Sequence, residues 1–140
     1  MLTICHTFVV HRMTTWYRQG INPQSRLSYL AAYLGHRDIH FSIATDDGKH
    51  ITPTNFGGNL LVVNFWETAC IPCAKEMPSL SDFARKFRSE GVVVVAISAD
   101  EDAVKYGKFL SDHHVVLETH RDPSRRISQG FGTYMFPELT

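Results

Sequence analysis

The pattern of apolar and polar positions along the chain predicts an α/β protein. Two nearly continuous apolar runs, residues 60–66 and 92–98, are typical of strands that are covered on both faces. Between them, residues 70–89 predict a helix that is kinked at Pro78 and places its aromatic residues on one inner face. A strand, a helix and a second strand at this spacing predict a parallel βαβ unit with a right-handed crossover.

Shorter patterns flank this unit. Residues 41–44 and 50–52 alternate around the turn Asp46-Asp47-Gly48, which predicts a β-hairpin. The acidic run 100–102 is typical of a helix start, and Arg125-Arg126 is expected to be a solvated pair. Three further elements are predicted downstream: a helix over 102–114, a short strand over 115–117 and a helical turn over 123–129.

The first forty residues differ from the rest in charge and in pattern. They hold four arginines and one aspartate, a formal charge of +3, which leaves ten basic and thirteen acidic residues, −3, in 41–140. Residues 6–19 predict an aromatic-rich helix, and residues 22–34 predict a second helix with a leucine-rich face. We therefore divide the chain into a helical extension, 1–40, and an α/β domain, 41–140.

Two cysteines, Cys70 and Cys73, stand where the first apolar run meets the predicted helix. The unpaired N–H groups and the positive dipole end of that helix favour a thiolate at the first sulfur. Cysteines three residues apart at a helix start share one face and can form a reducible disulfide. Pro72 between them suits a first helical turn, where a missing N–H costs nothing. The pair is therefore expected at an exposed helix end, able to exchange disulfides.

Composition and spacing argue against several other classes of protein. A structural zinc site needs further ligands at a regular spacing, and neither distant Cys5 nor the adjacent His113 and His114 supplies them, so no metal site is predicted. The formal net charge is zero, so no nucleic-acid partner is expected. No apolar run approaches the ~20 residues of a membrane span, residues 1–10 lead to no cleavage-like site, and no cofactor is predicted.

Residues 41–137 resemble the TlpA/ResA-like (redoxin) branch of the thioredoxin-fold thiol-disulfide oxidoreductases. The matching stretches are Phe41-Ser42-Ile43 with Asp46-Asp47-Gly48-Lys49, Leu61-Val62-Val63-Asn64-Phe65-Trp66, Cys70-Ile71-Pro72-Cys73 with Glu76-Met77-Pro78-Ser79-Leu80, the strand 92–98, and Gly132-Thr133-Tyr134-Met135-Phe136-Pro137-Glu138. By this resemblance Cys70 is the nucleophile, Cys73 resolves the mixed disulfide, and Pro137 is a cis proline that faces the pair.

Two positions near the cysteines differ from the residues found in related proteins. The residue before the first cysteine is usually Trp in this family and is Ala69 here. Thioredoxin itself carries a buried Asp where this chain has Asn64, as is usual in the TlpA-like branch, and an amide cannot act as a base. Proton transfer would then fall to water, to Glu67 or to Glu76, unless both glutamates are merely solvated acids. The supporting residues of the site are thus Asn64, Trp66, Glu67, Pro72, Glu76 and Pro137.

Residues 5–40 resemble a different family, the C-terminal catalytic part of the tyrosine recombinases (phage integrases). His6 and His36 match two histidines of that family. The position of its arginine holds Cys5, and the position of its nucleophilic tyrosine falls near Thr45. Because the recombinase site cannot be assembled from these residues, we interpret the segment as a remnant fused to the redox domain.

The resemblance also implies what the fold lacks. The family continues beyond its cis proline with an antiparallel strand, an edge strand and a helix, whereas three residues follow Pro137 here. We therefore expect an α/β, thioredoxin-like βαβ core with an N-terminal hairpin, preceded by two helices and incomplete at its C-terminus. The strand over 60–66 would become an open edge, which favours self-association.

The function that the resemblance implies is thiol-disulfide exchange with protein thiols, supported by an unidentified electron donor. Two alternatives stay open: a non-enzymatic truncated relic, and a thiol peroxidase of the peroxiredoxin class. The peroxidases use a Thr-x-x-Cys pattern, and Thr68 is out of register with Cys70. Relatives are commonly periplasmic or membrane-tethered, but the compartment of this chain stays undetermined.

Overall fold

The computed structural model describes residues 41–46, 48–56 and 60–135, together with the backbone of residues 7–10 and 36–37. Its strands and helices, in chain order, are β1 (Thr7–Val10), β2 (His36–Arg37), β3 (Ile43–Ala44), β4 (His50–Ile51), β5 (Leu60–Trp66), α1 (Ile71–Phe87), β6 (Val92–Ser98), α2 (Ala103–Asp112), β7 (Glu118–Arg121) and α3 (Arg126–Gly130). Short 3-10 turns lie at Pro53–Asn55 and Arg88–Glu90.

A five-stranded sheet of order β2-β1-β5-β6-β7 forms the centre of the fold. Strands β5, β6 and β7 are parallel, whereas β1 runs antiparallel to β5. All seven residues of β5 are buried, which explains why this strand is an almost unbroken apolar run. The predicted parallel pairing of the two apolar runs is confirmed, and β3 and β4 form the predicted hairpin.

Side chains alternate between two cores, one on each face of the sheet. On one face, Val63 and Phe65 of β5 pack with Phe131, whose ring lies 5.1 Å from the ring of Phe65 in an edge-on arrangement. On the other face, Val62 and Trp66 point towards α1 and α2. Burial on both faces therefore fixes the position of β5 between the two cores. The loop 67–69 connects its last residue, Trp66, to Cys70.

Helix α1 follows the prediction for residues 70–89 closely. It begins after Cys70, continues through Pro78, and ends in the 3-10 turn before Gly91, whose φ of 83° lies in the left-handed region. The hydroxyl of Ser81 donates to the carbonyl of Met77 within this helix, at 2.8 Å. Helix α2 likewise begins after Asp102, whose carboxylate accepts the N–H groups of the first turn.

The segment 7–10 is a strand and not part of a helix, so the prediction of a helix over 6–19 is wrong at these residues. Thr7 pairs with Asn64, and Val10 pairs with Leu61. β-branched and aromatic residues favour such pairing, and β5 offers an edge of unpaired backbone groups. The expected open edge of β5 is therefore wrong as well, because β1 occupies it. The helix predicted over 22–34 lies outside the described residues.

The two elements predicted after α2 differ in how well they match the structure. The short strand predicted over 115–117 is wrong in position, because β7 lies at Glu118–Arg121, where its residues pair with the end of β6. The helical turn predicted over 123–129 is found as α3. The division of the chain at residue 40 stays a prediction, although β1 and β2 both lie in the central sheet.

Candidate active site

The two cysteines of the motif form a disulfide at the junction between β5 and α1. Their Cα atoms are 5.2 Å apart. Cys70 is the N-cap residue of α1, and its sulfur accepts the backbone N–H of Cys73 at 3.2 Å. The N–H of Cys70 in turn donates to the carbonyl of Glu67 at 3.0 Å. The strand-to-helix placement predicted for the pair is thus the one observed.

The cysteine pair is less accessible than the sequence suggests. Each cysteine is only 3% exposed, whereas Ile71 between them is 67% exposed and Pro72 is also exposed. The prediction of an exposed pair is therefore wrong for the cysteines themselves. They belong to a buried cluster with Trp66, Met77, Ala96 and Tyr106 beneath them. Ile71 and Pro72 are therefore the exposed residues beside the two buried cysteines.

An acidic side chain from the next strand holds the loop that precedes Cys70. The carboxylate of Asp100, just beyond β6, accepts the backbone N–H of Thr68 at 3.0 and 3.1 Å and its hydroxyl at 2.6 Å. The same carboxylate accepts the hydroxyl of Ser98 at 2.6 Å. Three donor groups therefore converge on one half-buried carboxylate, and two of them belong to Thr68, which lies two residues before Cys70.

Arg121, at the end of β7, ties this region to the β3–β4 hairpin. Its guanidinium donates to the backbone carbonyls of Asp100 and Glu101 at 3.1 and 3.0 Å, and to the carboxylate of Asp46 at 2.8 Å. The hydrogen bond to Asp46 raises the pKa of the Arg121 guanidinium. This charged side chain is nearly buried. Its contacts connect the end of β7 with the loop after β6 and with the β3–β4 hairpin.

The two glutamates that we proposed for proton transfer have different surroundings. The carboxylate of Glu67 forms an ion pair with the guanidinium of Arg125 at 2.7 Å, so Arg125 is not the solvated residue predicted from the sequence. Glu76 is half-buried on α1, three residues after Cys73, and it too is engaged by a neighbouring group. The assignment of proton transfer to either glutamate stays a prediction.

The other predicted supporting residues lie in the core or outside the described part of the chain. Asn64 is buried in the middle of β5, between Ala96 of β6 and Thr7 of β1. Trp66 is fully buried, and its indole N–H has no hydrogen-bond partner in the described part of the chain. Pro137, expected to be the cis proline, lies outside the described residues. The roles of these residues stay predictions.

Sequence reasoning missed Asp100, Thr68 and Arg121 as parts of this site. The acidic run 100–102 suggests that Asp100 belongs to the helix start, whereas Asp102 alone caps α2, where the Lys105 N–H lowers the pKa of that carboxylate. A usable signal existed, because the carboxyl ends of neighbouring parallel strands meet at one edge of a sheet. An acid directly after β6 is therefore placed beside the loop that follows β5.

Neither a metal site nor a membrane span is found among the described residues. Within 41–46, 48–56 and 60–135, no cluster of three or more His, Cys, Asp or Glu side chains is arranged to hold a metal ion. Within the same residues, no helix combines the length and the apolar character needed to cross a bilayer.

Comparison with known proteins places these features in a family. Residues 34–139 match the AhpC/TSA family. The chain is 29% identical over 104 residues to the thiol-disulfide oxidoreductase ResA of Bacillus thuringiensis subsp. konkukian, covering 74% of this chain and 60% of that protein. It is 27% identical over 116 residues to ResA of Bacillus subtilis, covering 78% and 65%. The chain therefore spans less than two thirds of the length of these relatives.

Solved structures show the same fold. A putative thiol:disulfide interchange protein DsbE from Chlorobium tepidum aligns with a TM-score of 0.64 at 22% identity, covering 73% of this chain and 72% of that one. A putative thioredoxin from Neisseria meningitidis aligns with a TM-score of 0.60 at 24% identity, covering 71% and 67%. The resemblance of residues 5–40 to tyrosine recombinases stays a prediction. From residue 34 onwards, the chain belongs to the AhpC/TSA family, as a TlpA/ResA-like protein of thioredoxin fold.

Proposed function

We propose that this protein is a thiol-disulfide oxidoreductase that exchanges disulfides with protein thiols through Cys70 and Cys73. The observation that carries the proposal is the cysteine pair at the first turn of α1, where the sulfur of Cys70 accepts the N–H of Cys73. A helix N-terminus stabilises negative charge on a sulfur at this position once the disulfide is reduced. The similarity to ResA proteins supports the same activity.

The reaction begins with the reduced protein. The Cys70 thiolate attacks one sulfur of a substrate disulfide, the substrate S–S bond breaks, and the departing thiolate takes a proton from water. The Cys73 thiol then loses its proton and attacks the sulfur of Cys70, which releases the second substrate thiolate. The substrate gains two electrons, and the protein is left with the Cys70–Cys73 disulfide seen here. A dithiol donor must reduce that disulfide for a further cycle.

The surroundings of the pair suit a protein substrate with an extended, flexible disulfide segment. The sulfurs are recessed, while the exposed side chain of Ile71 and the exposed Pro72 form an apolar rim beside them. A flexible segment can pass this rim more readily than a disulfide fixed in a rigid core. We therefore expect unfolded or loop disulfides to react faster than buried ones.

Turnover of insulin disulfides with dithiothreitol as the donor tests the proposal. All variants carry Cys5→Ser, so that a third thiol does not contribute, and Cys5→Ser alone serves as the reference. We expect the reference to accelerate insulin precipitation above the dithiothreitol background, and Cys70→Ser to fall to that background. Equal rates with the reference and with Cys70→Ser would contradict the proposal and favour the relic.

A peroxide assay separates disulfide exchange from the thiol peroxidase alternative. On the same Cys5→Ser background, the Cys73→Ser variant keeps Cys70 without a resolving partner. We expect this variant to consume hydrogen peroxide no faster than a denatured control with the same thiol content. Rapid, saturable peroxide consumption by Cys73→Ser would instead identify a peroxidase.

A further inference from the structure

We propose that Asp100 is a positioning residue for disulfide exchange, which acts through Thr68 to hold Cys70 where the disulfide forms. This inference rests on the proposed function of the cysteine pair and deepens it. Asp100 does not touch either sulfur. It fixes the loop 67–69, which connects the last residue of β5 to Cys70.

The connection from Asp100 to Cys70 is short and consists of hydrogen bonds with well-defined geometry. The carboxylate receives both the N–H and the hydroxyl of Thr68, the latter at 2.6 Å. One residue earlier, the carbonyl of Glu67 accepts the N–H of Cys70 at 3.0 Å. The loop is therefore fixed at Thr68 by a side chain from the neighbouring strand and at Cys70 by its own backbone.

Asp100 is itself held in place and can act as a fixed point. Its N–H donates to the hydroxyl of Ser98 at 3.0 Å, and that hydroxyl returns a bond to the carboxylate. Arg121 donates to the backbone carbonyl of Asp100 at 3.1 Å and is bound in turn by Asp46. A restraint on Thr68 is effective only if its anchor cannot move, and these contacts satisfy that condition.

A fixed loop favours the disulfide over the dithiol. Forming the bond requires the two sulfurs to approach within bonding distance, and a loop already held in place loses less conformational freedom on closure. Cys73 is fixed by the body of α1, so the freedom that remains lies in the loop before Cys70. Loosening Thr68 should therefore lower the equilibrium constant for forming the Cys70–Cys73 disulfide.

The reduction equilibrium separates positioning from a simple contribution to stability. A contact that stabilises the oxidised and the reduced protein equally changes the free energy of unfolding but not the ratio of the two forms. Thr68→Val removes the hydroxyl donor, keeps the shape of the side chain and leaves the backbone N–H bound to Asp100. Thr119→Val is a matched control, because it removes a half-buried hydroxyl that accepts from Tyr106, outside the loop.

The experiment equilibrates each variant of the 140-residue chain, with Cys5→Ser, in defined mixtures of reduced and oxidised dithiothreitol, and counts free thiols by alkylation and mass. The full worth of one hydrogen bond, roughly tenfold in an equilibrium constant, is the upper bound of the effect, so we expect Thr68→Val to lower the constant for disulfide formation roughly three- to tenfold. Tenfold corresponds to about 30 mV for this two-electron couple. Thr68→Ser, which restores the hydroxyl, and Thr119→Val should stay within about twofold of the reference.

Two outcomes would overturn the inference while leaving the proposed function intact. One is a Thr68→Val protein with the same equilibrium constant as the reference. The other is a shift of the same size in Thr119→Val, which would assign the effect to the loss of a half-buried hydroxyl in general and not to the restraint on the loop. If Thr68→Val does not shift and Asp100→Asn does, the effect belongs to the charge of the carboxylate. Should Thr68→Val fail to fold, Thr68→Ala, which also removes the hydroxyl, must show the shift instead, and an unchanged constant there refutes the inference. A reference protein whose cysteines do not equilibrate at all would refute the proposed function itself.

Discussion

Strand β1 covers the edge of β5, and substitution of its residues by proline should uncover that edge. Proline has no N–H to donate to a ladder, and it is poorly tolerated inside a sheet. The N–H groups of consecutive strand residues point to opposite sides of the strand. Of the two variants Phe8→Pro and Val9→Pro, one therefore removes a donor that faces β5, and the other removes a donor that faces away from β5. The variant that loses the donor towards β5 should be the more severe.

The size of the effect follows from the register of the pairing. Four residues of β1, from Thr7 to Val10, pair with β5. An antiparallel ladder of this length exchanges about four hydrogen bonds. At about 0.5–1.5 kcal/mol each, complete loss of the pairing would cost about 2–6 kcal/mol. One proline should cost about 1–3 kcal/mol, a large share of the 5–15 kcal/mol by which domains are usually stable.

Urea unfolding and sedimentation velocity measure the two consequences. We expect a lower unfolding midpoint for the severe proline variant and a concentration-dependent shift from monomer to larger species, because the edge of an apolar strand becomes available to other chains. Ala103→Pro is the control, since proline at the first position of α2 loses no helical hydrogen bond. If both β1 variants stay monomeric with the midpoint of the unmodified protein, β1 does not stabilise the sheet.

Three further predictions test other parts of the account. Phe131→Ala should lower the free energy of unfolding by about 3–5 kcal/mol in urea titrations, because the ring is buried against Phe65. Burial raises the pKa of Tyr106, so the folded protein should lose stability as the pH rises above the ordinary tyrosine value of about 10, and Tyr106→Phe should lose less over the same range in urea titrations at pH 8 and 11. If proton transfer falls to a glutamate, Glu67→Gln or Glu76→Gln should slow insulin reduction, and if it falls to water both variants should keep the rate of the reference within about twofold.

The central strands, the hairpin and the cysteine pair could be predicted because each depends on a local pattern. An apolar run such as residues 60–66 can be stable only where both faces are covered, and the cysteines mark where that strand gives way to a helix. These features can therefore be predicted from short stretches of sequence, without knowing which distant segments pack against them.

The remaining features depend on which distant segments the fold brings together. Thr7–Val10 carries residues that suit a strand or a helix start, and its pairing is decided by the free edge of β5 more than fifty residues away in sequence. The partners of Thr68 and Glu67 lie at Asp100 and Arg125, in loops that meet only once the parallel sheet has formed. The low exposure of the cysteines has the same origin, because it depends on packing against α2.

The most direct test of the central claim is to identify the cysteine that forms a mixed disulfide. The Cys73→Ser and Cys70→Ser variants, both with Cys5→Ser, are reduced, mixed with 5,5′-dithiobis(2-nitrobenzoate) at neutral pH, and followed by release of the coloured thiolate and by mass. We predict that Cys70 in the first variant reacts faster than cysteine in the same chain unfolded in urea, and that Cys73 in the second reacts more slowly than Cys70. A Cys70 that reacts no faster than in the unfolded chain, or more slowly than Cys73, would contradict the account.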